Sequence, residues 1–257
     1  YTHIWKATSR CKVGHLAEAT NTGGLDLSAG GDETVFAIRN GNKLIKVVPF
    51  KFDNTQDTIQ FLEEQFRKYN FNDYGAKIFA DAGGLGKPII DQLRDRGWQN
   101  IRYVLNQSKA IDERVYVNRG SEMWFNFGKL LETGEVWIDV DDRRLVEQLS
   151  TRYYKITTAN KHQLESKLQA RAKGHPSPDR ADAVVLAFCN YNSKLEHQET
   201  AKPFTIPEPE VRKSSFTQKE YSTRELEDRW TPFSKNKDFR VINALITRHN
   251  DRIKGTN

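Results

Sequence analysis

Cysteine is nearly absent: Cys11 and Cys189 are the two in 257 residues, far apart and outside any metal-ligand spacing. That excludes a disulfide scaffold and a cysteine zinc site, and reduced thiols in a reducing compartment are expected. Long apolar runs are missing too, so no stretch approaches membrane-spanning length and no membrane partner is expected. The opening Tyr1-Thr2-His3-Ile4-Trp5 lacks an initiator Met and a signal-peptide pattern, and reads as the interior of a longer polypeptide. A Walker A loop is also lacking. Gly83-Gly84-Leu85-Gly86-Lys87 comes nearest, but the position that must open the motif with glycine is Asp81, and Lys87 is followed by Pro88 rather than Ser or Thr. No ATP site is therefore expected in this chain, and no internal repeat is evident. What is present is basic charge, net +6 with a pI of about 9.2, which suits an acidic partner such as nucleic acid but is shared by many ordinary proteins.

Taken in order, residues 1–20 read as a connector. Gly23–Ser28, Thr34–Ile38 and Lys43–Phe50 read as three antiparallel strands, separated by the Gly-rich Ala29-Gly30-Gly31-Asp32-Glu33 and by an Asn-Gly turn at Asn40-Gly41. The period then changes: Ile59, Leu62, Phe66 and Tyr69 lie on one helical stripe behind the N-cap Asn54. Lys77–Asp81 is a short buried strand ending in Ala82-Gly83-Gly84-Leu85-Gly86. Pro88 opens a helix to about Arg96 that Gly97 closes, and Ile101–Leu105 is the next strand. A surface loop over 106–117, a helix over 118–132, a short strand over 136–138, a helix over 142–150 and a strand over 153–156 follow. Lys161 to Lys173 reads as one basic amphipathic element ended by Gly174. The last helix runs from 178 to about 191, with Ser177 as N-cap and Pro178 at its first position. The pattern predicts an α/β fold: a mixed sheet of three antiparallel strands followed by alternating helices and strands, with helices on both faces. After Ser193 the chain becomes Pro-rich, then strongly charged, with Phe239, Val241, Ile242, Leu245 and Ile246 as one short amphipathic helix. Residues 194–257 read as a linker and tail or docking segment.

Three carboxylate stretches stand out. Asp26 lies in an apolar, glycine-flanked strand, where an unpaired carboxylate costs several kcal/mol, roughly, and needs a cation. Asp81 repeats the pattern, followed by glycines that let a ligand backbone approach. Asp179 and Asp182 are three apart and share one face at the positive end of the last helix. Strand-end exposure, turn chemistry and helix capping explain each one singly. Together they are the right number of oxygen donors for two hard cations in phosphodiester cleavage. Asp32 is a lower-ranked ligand in a turn, Asp91 reads as a solvated helix residue, and Asp139, Asp141 and Asp142 read as capping. Lys161, Lys167, Arg171, Lys173, His175 and Arg180 precede or enter the last helix and are candidates for DNA phosphates, against the alternative of a solvated helix face. His175 is also a candidate for proton transfer. Trp124, Phe127, Trp137, Tyr153 and Tyr154 read as core rather than stacking platforms.

Leu25-Asp26-Leu27-Ser28-Ala29-Gly30-Gly31-Asp32-Glu33-Thr34, Asp81-Ala82-Gly83-Gly84-Leu85-Gly86, Glu165-Ser166-Lys167 and Ser177-Pro178-Asp179-Arg180-Ala181-Asp182-Ala183 together resemble the nuclease half of the large terminase subunit of tailed bacteriophages. Tyr1-Thr2-His3-Ile4-Trp5 is similar to the segment joining that family's ATPase half to its nuclease. The resemblance covers residues 1 to about 193. It implies a ribonuclease H-like fold and an endonuclease that uses Mg²⁺ or Mn²⁺, two ions, to cut concatemeric double-stranded viral DNA during packaging in the host cytoplasm. It implies Asp26, Asp81 and either Asp179 or Asp182 as metal ligands, and the portal protein and small terminase subunit as partners. Competing readings are a junction-resolvase-like nuclease, an actin-like ATP-binding fold, whose phosphate turns Asp26–Gly31 and Asp81–Gly84 resemble, and a non-enzymatic basic docking module.

Overall fold

A computed structural model describes residues 15–28, 32–84, 86–138, 140–191 and 231–232. Most of the connector, residue 139 and nearly all of the 194–257 tail, including its expected short helix, lie outside the described residues. Three strands come first: β1 (Thr22–Asp26), β2 (Thr34–Asn40) and β3 (Lys43–Phe50). Then follow α1 (Thr55–Lys68), β4 (Lys77–Asp81), α2 (Gly86–Asp95), β5 (Ile101–Val104), α3 (Arg119–Glu132), β6 (Trp137–Ile138) and α4 (Arg143–Ser150). The hairpin β7 (Tyr153–Ile156) and β8 (His162–Leu164) leads into α5 (Lys167–Ala172) and α6 (Asp179–Phe188). A two-residue strand, β9 (Thr231–Pro232), pairs with the free edge of β7.

The main sheet has the order β5-β4-β1-β2-β3-β6. β2 is antiparallel to β1 and β3, while β4 is parallel to β1, and β5 to β4. Period-2 alternation sorts its side chains between two faces. Leu25, Phe36, Ile38, Ile78 and Ala80 meet Ile59, Leu62 and Phe66 of α1 and Ile89, Ile90 and Leu93 of α2. Val35, Ala37, Leu44 and Val47 point the other way, against α3, α4 and α6. This is the expected mixed sheet covered on both sides. α6 is apolar nearly all round and buried from Ala181 to Phe188, as befits a helix packed between the main sheet and two other helices, α3 and α4.

Two sequence expectations change. The Lys161–Lys173 element is not one unit: His162–Leu164 joins β7 as a strand, and a capping box at Ser166 and Gln169 starts α5 afresh. At α6 the N-cap is Pro178 rather than Ser177, because the Asp182 N–H bonds to the Pro178 carbonyl at 2.8 Å. The Ser177 hydroxyl is thereby released to donate to Asp179.

Arg39 is 2% exposed near the end of β2. Its guanidinium donates to Ala187 O at 2.6 Å, Gly41 O at 2.6 Å and Asn190 Oδ1 at 3.0 Å. Ala187 O belongs to the last turn of α6, where carbonyls lack helical partners and positive charge is favoured. Arg39→Met leaves these acceptors unsatisfied. A loss of about 3 kcal/mol is expected in urea denaturation, and an unchanged midpoint would remove Arg39 from the account.

Candidate active site

The site forms where β1 and β4 end side by side. Asp26 and Asp81 each lie one residue beyond the paired Leu25 and Ala80, on the face that Gly24 and Phe79 share. Gly24 lets the helix above come close: a Cβ there would lie 2.0 Å from Ala183 O and 2.3 Å from Ala187 N. α6 therefore rests on the β1 backbone, and its first turn carries Asp179 and Asp182 to the strand ends. Asp26, Asp179 and Asp182 are 4%, 3% and 6% exposed, too buried to be solvated independently.

The Lys167 ammonium, on the first residue of α5, sits among them. Nζ is 2.9 Å from Asp26 Oδ2, 3.0 Å from Asp182 Oδ2 and 3.3 Å from Asp179 Oδ1. Three carboxylates against one ammonium leave negative charge in excess. Burial pushes the Asp26 carboxyl up to about 8, with Asp182 and Asp179 adding to the rise and Lys167 opposing it. Burial also raises Asp182, but Lys167, Arg152 and the Trp124 N–H more than offset it, and the net shift is downward. Burial works against the Lys167 charge, yet the three carboxylates hold its pKa well above the usual lysine value. Asp81 is raised, chiefly by burial. It is held by the Gly83 N–H on Oδ1 at 2.9 Å and by Asn106 Nδ2 on Oδ2 at 2.7 Å.

The structure thus gathers Asp26, Asp179 and Asp182 around one cation, with Asp81 at the neighbouring strand end. The basic candidates are placed otherwise. Lys167 is the carboxylates' counter-ion. Lys173 pairs with Glu165 at 2.8 Å, and Arg180 spans Glu33 at 3.1 Å and Asp142 at 2.9 Å, pinning the end of the β1–β2 loop to α6 and α4. His175 packs on the Tyr153 ring with centroids 5.5 Å apart. Asp32 pairs with Arg171, Asp91 with Lys87, and Asp142 caps α4 through the Leu145 N–H. Sequence reasoning missed Asn106 and the site role of Trp124, whose Nε1 donates to Asp182 Oδ1 at 2.9 Å. An Asn in a polar loop and a Trp on an apolar stripe carry no local signal of such a role.

No family model and no curated protein matches the sequence. Solved structures do. The nuclease domain of the large terminase subunit of bacterial virus Sf6 superposes with a TM-score of 0.63 at 17% identity, covering 72% of this chain and 95% of that one. The fold is that of the phage large-terminase nucleases. The large terminase nuclease of thermophilic phage G20c, with bound magnesium, matches at TM-score 0.53 and 19% identity, over 67% of this chain and 82% of its own. The domain from Thermus phage P74-26 matches at 0.51 and 19%, over 68% and 81%. Within this terminase-nuclease fold, Asp26 and Asp81 occupy the carboxyl ends of adjacent parallel strands, where sites form in open α/β sheets.

Among the described residues, no three acidic, histidine or cysteine side chains stand at metal-ligating spacing. The chemistry of the donor set still fits a hard cation. Asp26, Asp179 and Asp182 already turn oxygens onto one positive charge, and all the donors are carboxylate oxygens, as Mg²⁺ and Mn²⁺ prefer.

Proposed function

We propose that this chain is the nuclease portion of a viral DNA-packaging terminase, hydrolysing phosphodiester bonds in double-stranded DNA with divalent metal ions. The observation that carries this reading is the cluster of three buried carboxylates, with a fourth at the next strand end, gathered around a single ammonium in a terminase-nuclease fold. Asp26, Asp81 and one of the α6 carboxylates, Asp179 or Asp182, would hold Mg²⁺ or Mn²⁺, two ions. When bound, such ions acidify the attacking water and offset charge building on the phosphoryl oxygens. The protein's part is to fix the oxygens. Asn106 and the Gly83 N–H orient Asp81, Trp124 orients Asp182, and Ser177 orients Asp179. Lys167 offsets part of the cluster's charge in the metal-free protein. Lys173 and Arg180, engaged by carboxylates, support the site's walls better than they support a DNA backbone contact. Sequence-tolerant cutting is expected, since backbone contacts position a duplex without reading bases.

Supercoiled plasmid tests the reading: nicking with Mg²⁺ or Mn²⁺ that a chelator stops supports it, and no nicking with either ion rejects it. Linear and branched substrates of equal length separate a packaging nuclease from a resolvase-like one. Action in the host cytoplasm and contact with the small terminase subunit belong to the same proposal, as does docking of residues 194–257 on the portal. Deleting that segment from the full-length protein should weaken portal binding, and unchanged binding rejects the docking role.

Cation affinity should depend on pH. Below about 8 Asp26 holds a proton that a cation must displace. Isothermal titration with Mn²⁺ should show binding tightening by up to about tenfold per pH unit as pH rises towards 8, then levelling off. Flat affinity across that range contradicts the assignment of Asp26. In the metal-free protein the sign is opposite for stability. The folded state binds this proton more tightly than the unfolded chain, so the contribution is present in acid and is lost as pH rises through about 8.

A further inference from the structure

The two α6 carboxylates are held differently. Asp182 divides its oxygens: Oδ1 accepts the Trp124 indole N–H at 2.9 Å and Oδ2 faces the Lys167 ammonium at 3.0 Å. Asp179 uses one oxygen for both tasks, since Oδ1 takes the Ser177 hydroxyl and also lies 3.3 Å from Lys167. An indole nitrogen only donates, so Trp124 fixes which Asp182 oxygen turns inward and which stays behind. Behind Trp124 lies Arg152, 6% exposed, its guanidinium 5.5 Å from the indole centroid. Its Nε and Nη1 are buried and find no hydrogen-bond partner among the described residues. A buried guanidinium with unmade bonds is costly, and packing alone would be served better by an apolar chain of similar length. What the charge does provide is a cation near Asp182 and over the indole face, where it draws electron density from the ring and strengthens the N–H as a donor.

We propose that Arg152 and Trp124 are positioning residues that make Asp182, rather than Asp179, the α6 carboxylate through which this site holds a divalent cation. The inference rests on the metal-dependent reading above. It assigns the chain Arg152, Trp124, Asp182, cation as one line of support, built from α3 and the α4–β7 junction rather than from the carboxylate stretches themselves. Outer partners of this kind, when removed, typically weaken metal binding by about tenfold or more.

The test is Mn²⁺ affinity by isothermal titration, joined to ¹⁹F spectroscopy of protein labelled with 5-fluorotryptophan. The chain has five tryptophans, and Trp124→Phe identifies the resonance of Trp124 by its disappearance. In the unaltered protein that resonance should shift on adding Mg²⁺. Trp124→Phe keeps an aromatic ring and loses the donor, and should weaken Mn²⁺ binding about tenfold. Arg152→Met should weaken it similarly, while Arg152→Lys, which keeps the charge, should stay within about twofold of the parent. Asp182→Asn should cost more affinity than Asp179→Asn. If Trp124→Phe fails to fold, the Arg152→Met and Arg152→Lys pair decides: equal affinities overturn the proposal. Normal binding in Trp124→Phe, or an unmoved Trp124 resonance with Mg²⁺ bound, also overturns it and leaves the metal site standing. No Mn²⁺ binding by the unaltered protein overturns both this inference and the nuclease reading.

Discussion

Asp26→Asn is expected to abolish DNA nicking, by at least about a hundredfold, while leaving the metal-free protein as stable as the parent or more so. The two halves of this result have one cause. Asp26 is buried beside two further carboxylates, and its carboxyl is pushed up to about 8, so the folded metal-free protein already disfavours its charge. Asn has the same shape and still offers an oxygen to Lys167. It stands in for the uncharged carboxyl that Asp26 presents below pH about 8, and Asp179 and Asp182 retain the Lys167 ammonium at 3.3 Å and 3.0 Å. The cost appears when a divalent cation has to be held, because an amide oxygen carries no charge to offer it. Urea denaturation in chelator and plasmid nicking in Mg²⁺ measure the two halves. A destabilised variant with retained nicking would reverse the assignment of Asp26 from ligand to structural ion-pair partner.

Gly24→Ala is expected to damage stability and the site together. One methyl group would enter within 2.0 Å of Ala183 O and 2.3 Å of Ala187 N, and both are backbone atoms of a helix buried on every side. No rotamer relieves that contact, so α6 must lift away from β1. Overpacking of this kind costs about 3 kcal/mol, the upper part of its usual range. The same movement draws Asp179 and Asp182 away from Asp26, so Mn²⁺ affinity should fall in the fraction that remains folded. Thermal melts and titration calorimetry on one preparation read both effects. Parental melting with parental affinity would show that the close packing of α6 on β1 does not set the site.

The contrast between these positions shows what the sequence made legible. Asp26 and Asp81 could be found because a charged residue at the end of an apolar strand is locally anomalous, and Asp179 and Asp182 because their spacing puts them on one helical face. The succession of strands and helices along the chain followed from period and turn residues, and the structure bears it out from Thr22 to Phe188 apart from the split at β8 and α5. Lys167 was legible as a basic residue near the site, but not as its counter-ion. That role depends on α5 being capped at Ser166 and starting at Lys167, which a β-hairpin pairing decides and a helical charge pattern conceals. Trp124, Arg152 and Asn106 were illegible for a related reason. Each lies far along the chain from the carboxylate it serves or stands behind, and its own neighbours in sequence look like ordinary core or loop. Gly24 stood out only as part of the glycine flank of Asp26, while its function is to lack a side chain: it leaves room for a helix that arrives about 160 residues later.

The central claim is that carboxylates scattered from residue 26 to residue 182 form one cation-binding centre. The most direct measurement is an anomalous difference map from a crystal soaked in Mn²⁺. The account predicts a strong peak within coordinating reach of Asp26 and Asp182 oxygens, lost in an Asp26→Asn crystal. A map without a peak among these carboxylates at saturating Mn²⁺, or with its peaks at surface carboxylates alone, would contradict it.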